Sequence, residues 1–265
     1  MAALSTEPTE QRARIEPGFH AIHANHLEDL RRAVVYICWH NPMPPLESET
    51  FLVQSNGIAQ WLKLALAEKR TEDGLEGGLG IAAGMDFLFP ARFIWQAYRA
   101  VLPDGEVPEQ SPFDKRRLVW RLYRLLPRLV GQDEAFTPLA RFLEGNDPDL
   151  RNFQLAEKVA DLFDQYQVFR ADWLAAWEQG KDVIITARAE EKPLDAETRW
   201  QPLLWRRLVE DVGADAHTSR SQIHTRFMEQ GQRLQAPANP SRLPTRIVVF
   251  GVSSLPRQAL EALYV

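Results

Sequence analysis

The stretch Thr50–Lys69, "TFLVQSNGIAQWLKLALAEK", decides how the rest of the chain is read. It opens on four apolar or β-branched residues, too few for a helix, passes through Gln54-Ser55-Asn56-Gly57, and continues with apolar residues at helical spacing. Ile58, Trp61, Leu62, Ala65 and Leu66 form one face, and Gln60, Lys63, Lys69 and Arg70 lie off it. A strand, a short polar loop and an amphipathic helix in that order make an α/β unit, and the carboxyl edge of such a sheet is where α/β proteins hold ligands.

Working outward, "GFHAIHANHLEDLRRAVVYICWHNP" predicts a strand at about Phe19–His23 and a helix capped by Asn25 with Glu28 three residues on. Downstream, "GIAAGMDF" predicts a third strand and "FPARFIWQAYRAVL" a helix opened by Pro90, giving the order βαβαβα. From Ser111 the pattern becomes almost wholly helical, and it stays so until the Pro-rich "QAPANPSRLP". Then "TRIVVFGVSSLP" supplies another β-branched strand. The expected organisation is a flexible N-terminus over 1–17, an α/β domain over 18–110 and 244–265, a helical subdomain over 111–235 and a linker over 236–243. The end at "RQALEALYV", just inside a helix, is expected of the N-terminal piece of a longer protein.

Composition narrows the class but not the function. The 265 residues are 45% hydrophobic and 25% charged, as in ordinary globular proteins with a sizeable core. No apolar run is long enough to span a membrane, and the polar first 18 residues are unlike a signal peptide, so a cytoplasmic protein without a membrane partner is expected. A net charge of −5 argues against whole-surface attraction to nucleic acid and is silent about a local basic groove. The single cysteine, Cys38, sits in "AVVYICW" and reads as a small buried hydrophobe.

Catalytic motifs are missing. Gly180-Lys181 is followed by Asp182 and preceded by a helix rather than a strand, so it does not make a phosphate loop. "GLGIAA" (Gly78–Ala83) precedes a predicted strand where dinucleotide binding needs it to follow one. His20 and His23 would fall on opposite faces of a strand, with no carboxylate-rich partner. Two helices say more. In "KRRLVWRLYRLLPRL", Arg117, Arg121, Arg124 and Arg128 make a stripe beside Leu118, Leu122, Leu125 and Leu129, which is either a solvated face with packed arginine stems or a nucleic-acid or partner-subunit surface. In "LAEKVADLFDQYQVFR", Leu155, Val159, Leu162 and Tyr166 mark a buried stripe, and Lys158, Asp161, Asp164 and Gln165 share the outer face.

Taken together, "FLVQSNGIAQWL", "GIAAGMDFLFPARFIW", "LAEKVADLFDQYQVFRADWLAAWE" and "RIVVFGVSSLP", in this order and at these separations, resemble the N-terminal part of the RecC family, the gamma subunits of bacterial RecBCD exonuclease V. The similarity runs from about Phe19 to the end. It implies an α/β fold of superfamily 1 helicase type, a P-loop-type parallel sheet with a degenerate nucleotide site and a large all-helical insertion. The residues agree with that loss: "HANHLED" (His23–Asp29) has neither Gly nor Lys where the phosphate loop would be, and Phe250-Gly251 stand where the second acidic motif would close its strand.

The resemblance also implies a role. Such subunits are non-catalytic, scan an unwound 3′-ended strand for the recombination signal Chi, bind single-stranded and forked DNA, and work with RecB-like and RecD-like partners that use ATP and Mg. No cofactor is expected on this chain. Positions matching the family's Chi-reading residues are Gln54, Asn56, Gln60, Phe89, Trp95, Asp161, Leu162, Asp164, Gln165, Arg170 and Arg220. Asn56 stands where a Thr is usual, Phe89 where a Leu is usual, and Arg220 is matched across a small insertion. Amides offer donors and acceptors to base edges, carboxylates accept from amino groups, arginines fork onto guanine or phosphate, and aromatic rings stack. A scaffold that mainly docks the partner subunits, through the arginine stripe, is the alternative.

Overall fold

The computed structural model describes residues 15–71, 77–233 and 243–264. The expectations for 1–14 and for most of the Pro-rich linker lie outside these residues. The chain divides into two compact units, residues 1–93 with 243–254 and residues 94–242 with 255–265.

In the first unit, helix α1 (Leu27–His40) precedes strand β1 (Glu49–Val53), helix α2 (Asn56–Ala67), strand β2 (Met85–Leu88) and the start of helix α3 (Pro90–Val101). The decisive stretch is therefore a strand, loop and helix as read. Its helix starts sharply because the Ser55 hydroxyl accepts from the Ile58 amide at 3.2 Å, satisfying one of the free N–H groups of the first turn. Phe19–His23 is not a strand: it runs as irregular chain with Phe19 84% exposed. A short partly apolar segment does not make a strand without a ladder partner and a face to bury. Nor does Asn25 cap α1, because His26 occupies that position and makes no side-chain cap bond.

Strand β1 is central. It pairs in parallel with β2 on one side and, on the other, with β5 (Ile247–Phe250), so the order is β2-β1-β5. All five β1 residues are buried, as befits a parallel strand covered on both faces. Phe51 and Val53 point into a core made with Val34, Val35 and Cys38 of α1, Leu62 and Leu66 of α2, and Phe250 of β5. Burial, reinforced by Glu49, pushes the Cys38 thiol up to about 12, in keeping with its reading as a buried hydrophobe. At this same end of the strand the Arg246 guanidinium grips the buried Glu49 carboxylate with both Nε (2.7 Å) and Nη2, tying the start of β5 to the start of β1. The "GLGIAA" glycines serve packing. Their segment returns over the end of α2, where Leu79 and Gly80 donate to the carbonyls of Leu66 and Glu68, and a Cβ at Gly78 would lie 2.4 Å from the Ala65 oxygen.

The second unit is helical: the rest of α3, then α4 (Lys115–Leu129), α5 (Thr137–Leu143), α6 (Pro148–Phe169), α7 (Ala171–Glu178), α8 (Trp200–Val212), α9 (Arg220–Arg233) and, after β5, α10 (Arg257–Tyr264). A small antiparallel hairpin, β3 (Val183–Ile185) with β4 (Glu191–Pro193), follows α7. Helices α4 and α6 pack together around Leu118, Leu122, Leu126, Leu129, Leu155, Ala156, Val159, Ala160 and Phe163, with Trp177 and Trp205 fully enclosed. The buried position on α4 is Leu126, and Leu125 is its half-buried neighbour. On α6 it is Phe163, not Leu162, which stays half-exposed outside that cluster.

One buried polar contact in this core has a covalent cause. Pro127 lies inside α4 and has no N–H for the Tyr123 carbonyl four residues back. The buried Asn152 side chain of α6 supplies the donor instead, at 2.7 Å.

Candidate functional site

Parallel pairing puts the carboxyl ends of β1, β2 and β5 side by side. Because the chain moves from β1 to one neighbour and later returns to its other side, the end of β1 is the topological switch point of the sheet, where α/β ligands bind. Gln54 follows β1 directly and is exposed. Asn56 and Gln60, one helical turn apart at the start of α2, are exposed as well. Phe89 follows β2 and is 41% exposed, an uncommon state for a phenylalanine beside a sheet edge. Three amide side chains and one ring thus stand at the loop ends of the first unit without being spent on its core.

In the second unit the named positions gather around the beginnings of α4 and α9. Lys115 donates to the Asp161 carboxylate at 2.6 Å and holds it below the usual carboxylate range. Gln165 donates to the other Asp161 oxygen at 3.2 Å. Asp114, at the N-cap of α4, has its carboxyl raised by burial, countered by Arg220 and Arg117 and reinforced by Asp164. These mutual influences place Asp161, Asp164, Gln165 and Arg220 in one mixed-charge neighbourhood with Asp114, Lys115 and Arg117. Of the last three, Arg117 belongs to the arginine stripe read from the sequence, whereas Asp114 and Lys115 were not among the sequence candidates. Nothing local in the sequence marks them, since Lys115 lies 46 residues from its partner. Leu162 sits on the same turn of α6, half-exposed between the two acids.

Two positions are more heavily engaged. Trp95 is half-buried, donates from its indole to the Pro108 carbonyl at 3.1 Å and meets the edge of Tyr98. Arg170, between α6 and α7, pairs with Asp172, donates to the Ile185 carbonyl and lies over the Trp173 ring at 4.0 Å. Its fork is already filled by its own unit. The arginine stripe is also partly spent: Arg121 and Arg124 both hold Asp211 at 2.6 Å, while Arg128 remains exposed. Among the described residues, no three His, Cys, Asp or Glu side chains converge on a metal-sized site, and no helix is long and apolar enough to cross a membrane.

Comparison with known proteins identifies the family. The family described as RecC, N-terminal domain, matches residues 19–265. The RecBCD enzyme subunit RecC of Escherichia coli K12 is 38% identical over 244 residues, covering 91% of this chain and 20% of that protein. The Haemophilus influenzae subunit of the same name is 37% identical over 236 residues, covering 84% and 20%. The Mycobacterium tuberculosis H37Rv subunit is 27% identical over 223 residues, covering 81% and 18%. The chain spans about a fifth of the length of these curated relatives, and its match to the family model takes in nearly all of its own residues. The chain belongs to the RecC family.

Proposed function

We propose that this chain contributes the strand-reading part of a non-catalytic RecC subunit, which follows an unwound 3′-ended DNA strand in a RecBCD-type complex and detects the Chi signal. The observation that carries the reading is the set of uncommitted amides, Gln54, Asn56 and Gln60, at the switch point of a parallel sheet in a RecC-family chain. A single strand presents base edges that short polar side chains can discriminate and base faces on which rings can stack. In the first unit the three amides read edges and Phe89 stacks. In the second, Asp161 and Asp164 accept from base amino groups, Gln165 supplies an amide, and Arg220 forks onto guanine or phosphate. Leu162 and Trp95 are apolar neighbours for a base. Arg170 acts through shape, because its fork is held by Asp172 and Ile185.

The sheet in this reading is a superfamily 1 helicase sheet that has lost its nucleotide pocket. In support, β5 ends on the buried ring of Phe250, stacked 6.1 Å from Trp61, where a motor would need an exposed carboxylate. ATP hydrolysis and nuclease chemistry then belong to RecB-like and RecD-like partners. The mixed-charge patch gives discrimination without strong general affinity, since its acids oppose unspecific phosphate binding.

The test is a photoreactive single strand containing Chi, crosslinked within the full complex and located by peptide mapping. Label on Gln54–Gln60 and Asp161–Gln165 is the expected result, and label confined to other segments rejects the reading. A scaffold role is favoured by one observation: Trp120 is 64% exposed on α4 and lies 5.9 Å from the Phe153 ring on α6, as an interface anchor would. Trp120→Asp should then abolish co-purification with the partner subunits while leaving the chain folded.

A further inference from the structure

Behind the mixed-charge patch runs a buried polar chain that joins three helices. The Tyr98 hydroxyl (α3) is 2.8 Å from His224 Nδ1 (α9), and His224 Nε2 is 3.1 Å from Glu261 Oε2 (α10). The second Glu261 oxygen accepts from Arg257 Nε at 2.7 Å. Tyr98 is 3% exposed and His224 7% exposed, so water does not substitute for the bond between them, while the Glu261 side chain at the outer end is 32% exposed. One proton order satisfies every group. The phenol donates to Nδ1, the neutral imidazole donates from Nε2, and the carboxylate takes both the imidazole and Arg257. Burial raises the Tyr98 phenol far above its ordinary value, so it stays a donor, and Arg220 moderates that rise. For Glu261, burial acts upward, but the bonds from Arg257 and His224 outweigh it and leave the carboxyl lowered, which keeps it an acceptor.

Two of the strand-reading positions lie one helical turn from members of this polar chain. Trp95 stands three residues before Tyr98 on α3, and the two rings meet edge to face. Arg220 stands four residues before His224 on α9, one turn away on the same helical face. Shifting either helix would move the arginine relative to the indole.

We propose that Tyr98, His224 and Glu261 are positioning residues, a buried strut that sets the spacing of Trp95 and Arg220 for reading a DNA strand. This rests on the strand-reading function proposed above. The strut gives the C-terminal helix α10 a direct mechanical connection to that spacing, so whatever displaces Glu261 also alters the reading geometry.

The test uses the full complex, with Tyr98→Phe, Glu261→Ala and Glu261→Gln in this chain and the photoreactive Chi strand as probe. Tyr98→Phe removes one oxygen and keeps the ring. Tyr98→Phe should lower the label on the Trp95 and Arg220 peptides, by at most about tenfold, the equilibrium change that one buried hydrogen bond can hold. Label on the Gln54–Gln60 peptide is expected to hold in the same sample. Glu261→Ala should match Tyr98→Phe, and Glu261→Gln should restore label, because its amide oxygen still accepts from His224. Undiminished label in Tyr98→Phe, against a labelled wild type, overturns the strut alone. An equal fall at Gln54–Gln60 also overturns it, since that marks general loss of structure. If the wild-type complex labels neither peptide set, the strand-reading function itself fails and the strut falls with it.

Discussion

Arg246→Met tests what holds the strand-reading edge in place. Glu49 and Arg246 are 197 residues apart, yet their bidentate pair pins the first residues of β1 to those entering β5. The Glu49 side chain is 6% exposed and that of Arg246 21%, so the substitution strands a carboxylate in a nearly dry position beside Cys38. Removing one partner of a buried pair costs about 3–5 kcal/mol, and the partial exposure of Arg246 puts this case near ~3 kcal/mol. That is about a hundredfold change in the unfolding constant. Urea unfolding followed by tryptophan fluorescence should show a lower midpoint with the slope preserved. Replacing both partners, Glu49→Leu with Arg246→Met, should recover most of the loss, because the orphaned charge is gone. A cost below about 0.5 kcal/mol for Arg246→Met, as for an exposed pair, would refute the reasoning.

Asn152→Leu keeps the volume but leaves the Tyr123 carbonyl without a donor, and should cost about 1–3 kcal/mol by denaturant unfolding. Ser55→Ala should cost about 1 kcal/mol through loss of the α2 cap, whereas Gln54→Ala next to it should change stability by less than about 0.5 kcal/mol. Glu178 is raised by burial, against the opposing bonds from Gln222 and Trp205. Its folded state binds the proton more tightly than the unfolded chain. Its contribution to stability is therefore full below about pH 4.3 and is lost as pH rises through the higher folded value. Glu178→Gln should flatten that segment of the stability profile measured by thermal unfolding.

The legible parts of the fold were those whose signal is local. Thr50–Lys69 announces itself by a change of period from strand to helix, with Ser55 as the stop between them, and the long helices repeat their apolar positions over several turns. Phe19–His23 is no strand because a strand exists through a neighbour, and here β1 takes β2 and β5 instead. The shift from Leu162 to Phe163 arises because the core of the helical unit selects the larger ring to face Trp205, 5.3 Å away. At the candidate site, the family pattern named side chains but not their company. That Lys115 and Asp114 join Asp161, and that Arg170 is tied to a hairpin carbonyl, are products of tertiary packing between segments with no shared sequence signal.

The most direct test is Chi response in the full complex carrying Gln54→Ala, Asn56→Ala or Asp164→Ala in this chain, with unwinding rate and Chi-dependent products measured on the same DNA. Unwinding is expected to stay at the wild-type rate while Chi-dependent products fall or shift in sequence preference. Wild-type Chi response in all three variants, or an equal loss of unwinding and response, would contradict the account.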